Sequence, residues 1–473
     1  MHLSAAAHRV LRTVEAAREA TGHAVTRARD RSLASPNTVW TTLRGRSLAA
    51  RPVDSFDGQT AIAGTMAEIC AALADAGIAY EIVATEPPSV AVTATPWPAV
   101  VRALAQLVLS AQQGAALGPL SRLRARPGAM RVFRPWATSG GRYLAGPDVG
   151  IDLVSGSAPP PVPSLGNIDA VFTWVDGSDP TWQEKKRRRL KEMGRPPLHE
   201  TAANDARYAQ IDELRYALRA VTRYAPWLRR IFLVTDGQRP PWLADEYPQV
   251  TLVRHDEIFS DPAALPTFNS HAIESRLHHI PGLAERYLYF NDDIFLGRYM
   301  HPTDFFTESG LPRLFPTHEA ISDSPITPED RPVIAAAKNN SRILTALAGT
   351  RATHTLKHTP HAMQRSLAFE LEDLAEDSFR VTQGSPFRSR TDLSICSSLL
   401  PYYGLATGRA VEGTIRHFYS DVASEELAWR LPRLLEHRDA DIICLNATTA
   451  PAAERGETIR GFLDSSFPPL GSA

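Results

Sequence analysis

Two textures of hydrophobic and polar residues meet near residue 165. From Ile168 onward, short apolar runs rich in β-branched and aromatic residues alternate with stretches of helical period. Ala170-Val-Phe-Thr-Trp-Val175, Ile231-Phe-Leu-Val-Thr235, Val250-Thr-Leu-Val253 and Tyr287-Leu-Tyr-Phe290 read as strands. Ile211, Leu214, Leu218 and Val221 share one face of a helix expected over 211–224, and a further helix is expected near 271–279. Asp179 followed by Pro180 has the chemistry of a helix start, an N-cap carboxylate and a proline at the first turn. Strands alternating with helices predict an α/β fold, with a mainly parallel sheet and helices on both faces. In such sheets ligands bind beyond the carboxyl ends of the strands.

The N-terminal third is less regular. It predicts a helix over 1–30, with Leu3, Val10, Leu11 and Val14 on one side, and another over 66–76. Strands follow at 78–84 and 89–93, then a helix near 97–112. Residues 1–154 thus read as a small accessory α/β region. The run Ser155-Gly-Ser-Ala-Pro-Pro-Pro-Val-Pro-Ser-Leu-Gly166 has little to bury and reads, over 155–167, as a Pro-rich linker.

Composition narrows the class. A chain of 473 residues is long for one core. With 43% hydrophobic and 22% charged residues it is an ordinary globular chain rather than a disordered one. A net charge of −1 supplies no global field for nucleic acid. The three cysteines, Cys70, Cys396 and Cys444, are far apart without CxxC spacing, which fits a reducing compartment. Residues 1–31 lack the apolar core of a signal peptide, and 100–117 is too short and polar to span a bilayer. A cytoplasmic location is expected, with peripheral association at the inner face of the cell membrane left open.

Candidate chemistry lies at the strand ends. Asn291-Asp292-Asp293 follows an apolar strand and precedes Ile294-Phe-Leu296. Adjacent, partly buried carboxylates repel unless a cation neutralises them, and Mg2+ or Mn2+ suits such oxygen ligands. In Trp174-Val-Asp176-Gly-Ser-Asp179, Gly177 permits a tight turn. Asp176 could contact a ribose, a base or the metal there, while Asp179 could serve as a cap alone. Lys357-His358-Thr-Pro-His361, Ser385-Pro-Phe-Arg388-Ser-Arg390 and Ile415-Arg-His-Phe-Tyr419 offer imidazoles for proton transfer and arginines for phosphate oxygens. The basic run Lys185–Lys191 reads first as a solvated helix face and second as a contact for an anionic acceptor or membrane surface.

These blocks resemble, in order, the conserved regions of the Stealth family. Its members are bacterial capsular and exopolysaccharide phosphotransferases, related to the catalytic subunit of the animal N-acetylglucosamine-1-phosphotransferase. Ile168-Asp-Ala-Val-Phe-Thr-Trp-Val-Asp-Gly-Ser-Asp179 is similar to the first region. The long second region is matched by Asp212-Glu-Leu-Arg-Tyr-Ala-Leu-Arg219, Tyr224-Ala-Pro-Trp227, Ile231-Phe-Leu-Val-Thr-Asp-Gly-Gln238, Leu265-Pro-Thr-Phe-Asn-Ser270 and Tyr289-Phe-Asn-Asp-Asp-Ile-Phe295. His358-Thr-Pro-His361 through Phe387-Arg388 and Asp392 resembles the third, and Ile443-Cys-Leu-Asn446 the fourth.

The resemblance covers about 168–446 and makes 168–473 the expected catalytic domain. It implies a nucleotide-diphosphosugar-binding fold and transfer of a hexose-1-phosphate, such as N-acetylglucosamine-1-phosphate, to a saccharide hydroxyl. A phosphodiester would form and a nucleoside monophosphate would leave, with a divalent cation assisting. By the same resemblance Asp292, Asp293 and Asn446 are metal or diphosphate ligands, and Asp176, Gly177, Asp179 and Asn291 contact the nucleotide sugar. Arg215, Arg342 and Arg388 are implied phosphate contacts, and His358 or His361 the base. This chain departs from the family where Ala447 follows Asn446, since the family pattern has an Asp there. Asp421 and Asp441 lie near enough in sequence to be considered as substitutes. A metal-dependent glycosyltransferase releasing a nucleoside diphosphate, and a non-catalytic sugar-nucleotide-binding component, remain as alternatives.

Overall fold

The computed structural model describes residues 165–194, 208, 212–437, 439–447 and 453–469 continuously, and shorter segments between 39 and 154. The expected helix over 1–30, most of the helix near 97–112 and the proline run at 155–164 lie outside the described residues. The chain divides into two compact units, one of Met1–Val162, Glu436–Asp439 and Leu470–Ala473, the other of Pro163–Leu435 and Ala440–Pro469.

The first unit is richer in strand than its sequence suggests. Val39–Leu43, Arg46–Pro52, Trp136–Ala137 and Tyr143–Ala145 form one four-stranded sheet, and Tyr80–Val83, Ser89–Thr93, Asp148–Val154 and Ala129–Phe133 form another. The expected helix begins earlier, spanning Gly58–Asp75.

The second unit is built on a five-stranded sheet. Its strands are β1 (Ile168–Thr173), β2 (Ile231–Thr235), β3 (Val250–Arg254), β4 (Arg286–Asn291) and β6 (His361–Gln364), in the order β3-β2-β1-β4-β6. The first four are parallel, and β6 closes the edge antiparallel to β4. β2 is buried over all five residues, so both of its faces are covered, as a parallel strand requires. Phe172 on β1 stacks on Phe290 of β4 at 4.6 Å. The one charge inside β1, Asp169, is fully buried and satisfied by Arg229 (Nε 2.9 Å, Nη2 2.6 Å) and the Ala284 amide (2.7 Å). A second, three-stranded sheet orders β5 (Ile294–Leu296), β8 (Ile442–Asn446) and β7 (His417–Asp421).

The helices follow their local signals where tertiary contacts allow. α1 (Pro180–Glu192) starts as read: the Asp179 carboxylate accepts the Thr181 amide at 2.8 Å and the Trp182 amide at 3.4 Å. α2 (Glu213–Tyr224) begins two residues later than expected, because Asp212 adopts a left-handed backbone (φ 71°) and its carboxylate accepts from Trp242 Nε1 instead of capping. The helix expected near 271–279 is broken into α3 (Ser270–Glu274) and a 3-10 turn at Leu277–His279. Glu372, on a helix spanning Arg365–Leu374, causes the break: it draws Arg276 Nη1, His278 Nε2 and His279 Nε2 to 2.7 Å each, while Arg276 Nε reaches the Ile258 carbonyl at 2.8 Å. Gln383 also donates to Glu372, so this carboxylate is saturated by its own neighbours.

Candidate active site

β1 and β4 are adjacent and in register, Thr173 opposite Asn291. The chain leaving β1 at Trp174-Val175 therefore emerges beside the chain leaving β4 at Asp292-Asp293. A cavity opens at this seam, beyond the carboxyl ends of the strands. Asn291, Asp292, Asp293, His358, Arg388 and Asn446 gather at one part of its wall. Trp182, Tyr208 and Phe268 form an aromatic part, with Trp182 edge-on to Phe268 at 5.1 Å and tilted to Tyr208 at 4.9 Å.

Asp293 is the most constrained carboxylate. Its Oδ1 is buried without a hydrogen-bond partner and lies 3.5 Å from His358 Nε2; its Oδ2 receives the Cys444 thiol at 3.7 Å. A buried carboxylate oxygen whose contact is an imidazole at 3.5 Å, too long for a good hydrogen bond, is poorly satisfied, and a divalent cation would relieve it. Asp293, His358 and Cys444 bring donor atoms within 4.8 Å of one another; burial, with Asp293 beside it, pushes the Cys444 thiol well up and so favours the neutral thiol, a poorer ligand than a thiolate. Oxygen donors at this part of the wall come from Asp292, Asp293 and the Asn446 side-chain amide, whose Nδ2 donates to Tyr419 Oη at 2.8 Å. That oxygen set fits a hard cation of the Mg2+ or Mn2+ type. Burial disfavours charge on His358, but the Asp293 carboxylate, with Glu274 beyond it, outweighs this and raises its pKa.

Arg388 donates Nη2 to Ser270 Oγ at 2.7 Å, and among the described residues no ion pair engages it. A cavity-wall guanidinium without a carboxylate partner is suited to an anion from outside the protein.

Other sequence candidates do not reach the cavity wall. Arg215 is held bidentately by Glu246 and packs over Trp242 at 5.6 Å, so its charge is already answered. Arg342, on a helix spanning Pro332–Ala348, donates to Asn339 Oδ1 at 3.0 Å. His361 is buried on β6 opposite Tyr289, and burial, with His358 nearby, pushes it down to about 3. Asp176 turns its Oδ1 to the Ser178 amide and hydroxyl, and Asp179 caps α1 while receiving Gln238 Nε2 at 3.0 Å. Gly177 allows a close approach rather than a special backbone angle: a Cβ there would lie 2.2 Å from the Tyr208 carbonyl oxygen. The turn supplies the cavity with Trp174 and Val175, while its acidic residues hold the turn together. Asp441 cannot replace the missing carboxylate near Asn446, because it precedes β8 and is taken by Arg298 and Arg416. Asp421 lies opposite Asn446 in the ladder, with its Oδ1 accepting the Ala423 amide at 2.7 Å.

Sequence reading passed over several cavity residues. Asp236 pairs with Lys185 at 2.8 Å, His255 is pushed down to about 4 by burial, and Ser270 receives Arg388. Behind the wall, Glu274 is buried, its Oε1 accepting from Tyr289 Oη at 3.4 Å and its Oε2 unsatisfied; burial raises its pKa. Asp236, in Thr235-Asp-Gly237 at the end of β2, had a readable signal because it shares the strand-end position of Asp292.

Fold and cavity define the class: an α/β protein with an acidic, arginine-bearing site at the carboxyl edge of a mainly parallel sheet. Three family models match in order: Stealth protein conserved region 1 over residues 166–194, conserved region 2 over 207–314 and conserved region 3 over 357–405. The chain carries these three Stealth regions in the family's order. Exopolysaccharide phosphotransferase SCO6023 of Streptomyces coelicolor is 49% identical over 304 residues, which are 64% of this chain and 51% of that protein. Exopolysaccharide phosphotransferase CpsY of Mycobacterium tuberculosis is 44% identical over 306 residues, 64% of this chain and 57% of that one. The chain thus spans about half the length of these curated relatives. Among solved structures, the apo-form glycosyltransferase GlyE of Streptococcus pneumoniae aligns over 65% of this chain and 66% of its own, with 12% identity and a TM-score of 0.30. No helix among the described residues is long and apolar enough to cross a membrane.

Proposed function

We propose that this protein transfers a hexose-1-phosphate from a nucleotide-diphosphosugar to a saccharide hydroxyl in exopolysaccharide or capsule synthesis, with residues 168–473 as the catalytic domain and 1–154 as an accessory region. The observation that carries the reading is the convergence on one cavity of the Asp292-Asp293 pair, His358 and Arg388, an arginine that forms no ion pair among the described residues. The names of the curated relatives support phosphotransfer over plain glycosyl transfer.

In this scheme the aromatic part of the wall, Trp182, Tyr208 and Phe268, takes the nucleoside, and the diphosphate extends toward the acidic pair. Asp292, Asp293 and Asn446 would hold a divalent cation, which when bound supplies neutralisation of the diphosphate charge. Arg388 binds non-bridging oxygens of the sugar-bearing phosphate, and His358 Nε2 takes the acceptor proton. The acceptor oxygen bonds to the sugar-bearing phosphorus while the bond to the bridging oxygen breaks. The hexose thus keeps its phosphate as a phosphodiester, and a nucleoside monophosphate leaves. Positioning and charge stabilisation account for most of such a reaction.

The deciding experiment is a screen of nucleotide sugars with Mg2+ and saccharide acceptors, identifying the nucleotide released. Nucleoside monophosphate formed together with a phosphodiester product is the expected result. Release of a diphosphate would establish glycosyl transfer instead, and donor binding without product across the acceptor panel would point to a binding component.

A further inference from the structure

Arg388 lies in a loop whose two flanking residues are tied to one buried pair. Asn269 Nδ2 reaches the carbonyls of Ser385 (3.1 Å) and Phe387 (3.4 Å) and the Oδ2 of Asp392 (2.9 Å). The same Oδ2 accepts the Ser389 amide at 2.8 Å and lies 3.3 Å from His271 Nδ1. Asn269 and Asp392 are both 0% exposed, and Asp392 Oδ1 has no hydrogen-bond partner among the described residues. Residues 387 and 389, on either side of Arg388, are therefore fixed by a polar hub from which solvent is excluded. Asn269 also caps α3 by accepting the His271 amide at 3.1 Å, and the next residue, Ser270, receives the Arg388 guanidinium. Phe268 stacks on Phe387 at 5.2 Å and donates its amide to Pro386, completing the seam.

Buried carboxylates are costly, and stability alone is often served as well by apolar side chains. A carboxylate with one oxygen in three contacts and the other unsatisfied has a narrower use here: it fixes the direction of a loop. We propose that Asp392, acting with Asn269, is a positioning residue that holds Arg388 in its phosphate-binding orientation. This rests on the assignment of Arg388 as a phosphate ligand in the proposed function. Loss of the hub would let the guanidinium swing away from the cavity without changing the chemical groups that touch the donor.

The test is a double-mutant cycle on the full chain, read by calorimetric binding of inorganic pyrophosphate in the presence of Mg2+, with a melting curve for every variant. Arg388→Ala is expected to weaken pyrophosphate binding by about 10- to 100-fold, the range for a charge-assisted hydrogen bond. Asp392→Asn is expected to weaken it by about three- to tenfold and to have no further effect in the Arg388→Ala background, because both act through one group. Should Asp392→Asn fail to fold, Ser270→Ala, which removes only the hydroxyl under the guanidinium, is expected to show the same coupling. Wild-type affinity in a folded Asp392→Asn protein, or losses that multiply in the double variant, would overturn the positioning role while leaving Arg388 as ligand. Wild-type affinity in Arg388→Ala would overturn the ligand assignment itself, and the positioning role with it.

Discussion

Neighbouring residues of one type are separated here by what surrounds them. His358 and His361 are three positions apart, yet one faces the cavity beside Asp293 and the other is enclosed on β6 and pushed down to about 3. His358→Ala is expected to lower kcat by about 10²- to 10⁴-fold, the usual range for a general base. His361→Ala is expected to act mainly on the melting temperature, so measuring rate and Tm for both variants checks the division. Asp293→Asn should remove the dependence of turnover on added Mg2+ between micromolar and millimolar concentration, along with most activity. Turnover in that variant that still saturates with Mg2+ as in the wild type would sink the cation assignment. The position of Asn291-Asp292-Asp293 at a strand end was legible in the sequence because its signal is local, acidic residues at the end of an apolar run. The pairing of Arg215 was not legible, because the carboxylate that occupies it, Glu246, lies 31 positions away. The Asn269–Asp392 hub was hidden for the same reason, its partners being 123 positions apart.

Elements obey local chemistry until long-range contacts outweigh it. α1 starts where Asp179 and Pro180 say it should, and Asp179→Ala is expected to cost about 1 kcal/mol of stability through the lost cap, measurable by denaturant titration. The broken helix near 271–279 could not be read, because its break is made by Glu372 about a hundred residues on. At the start of β7 and β8, Asp441 binds Arg298 Nε (2.7 Å), the Arg416 amide (3.0 Å) and the Arg416 guanidinium. Burial raises the Asp441 pKa, but the two arginines more than reverse this and hold it at about 2. An unfolded Asp titrates near about 3.9, so the native state binds fewer protons between these values. The contribution to stability is therefore full above about pH 5 and fades as pH falls toward 2. Asp441→Asn should be less stable than wild type by on the order of 2 kcal/mol at pH 7. That difference should shrink below pH 4 in thermal melts, and a pH-independent gap would contradict the assignment.

At the scale of the molecule, the alternation of strands and helices announced a mainly parallel sheet and the edge at which to look for a site. It did not announce the antiparallel edge strand β6 or the small sheet β5-β8-β7, whose strands are short and come from distant parts of the chain. The unit of Pro163–Leu435 and Ala440–Pro469 has its own continuous core, reaching from Val171 and Phe232 to Leu399 and Tyr403. A fragment of residues 163–473 is accordingly expected to melt cooperatively and to bind Mg2+-pyrophosphate, as calorimetry would show; a folded fragment that binds none would contradict the placement of the binding site in this cavity.

Cys444 meets Asp293 across a separation of 151 residues. On the ribosome, synthesis at about 5–20 residues per second places roughly 8–30 s between the two. A nascent chain thus carries the acidic pair for many seconds before β8 arrives to close it, and a chain interrupted in that interval has the two carboxylates without Asn446 or the strand beside them. Completion of the proposed cation site is in this sense a late checkpoint on the length of the polypeptide.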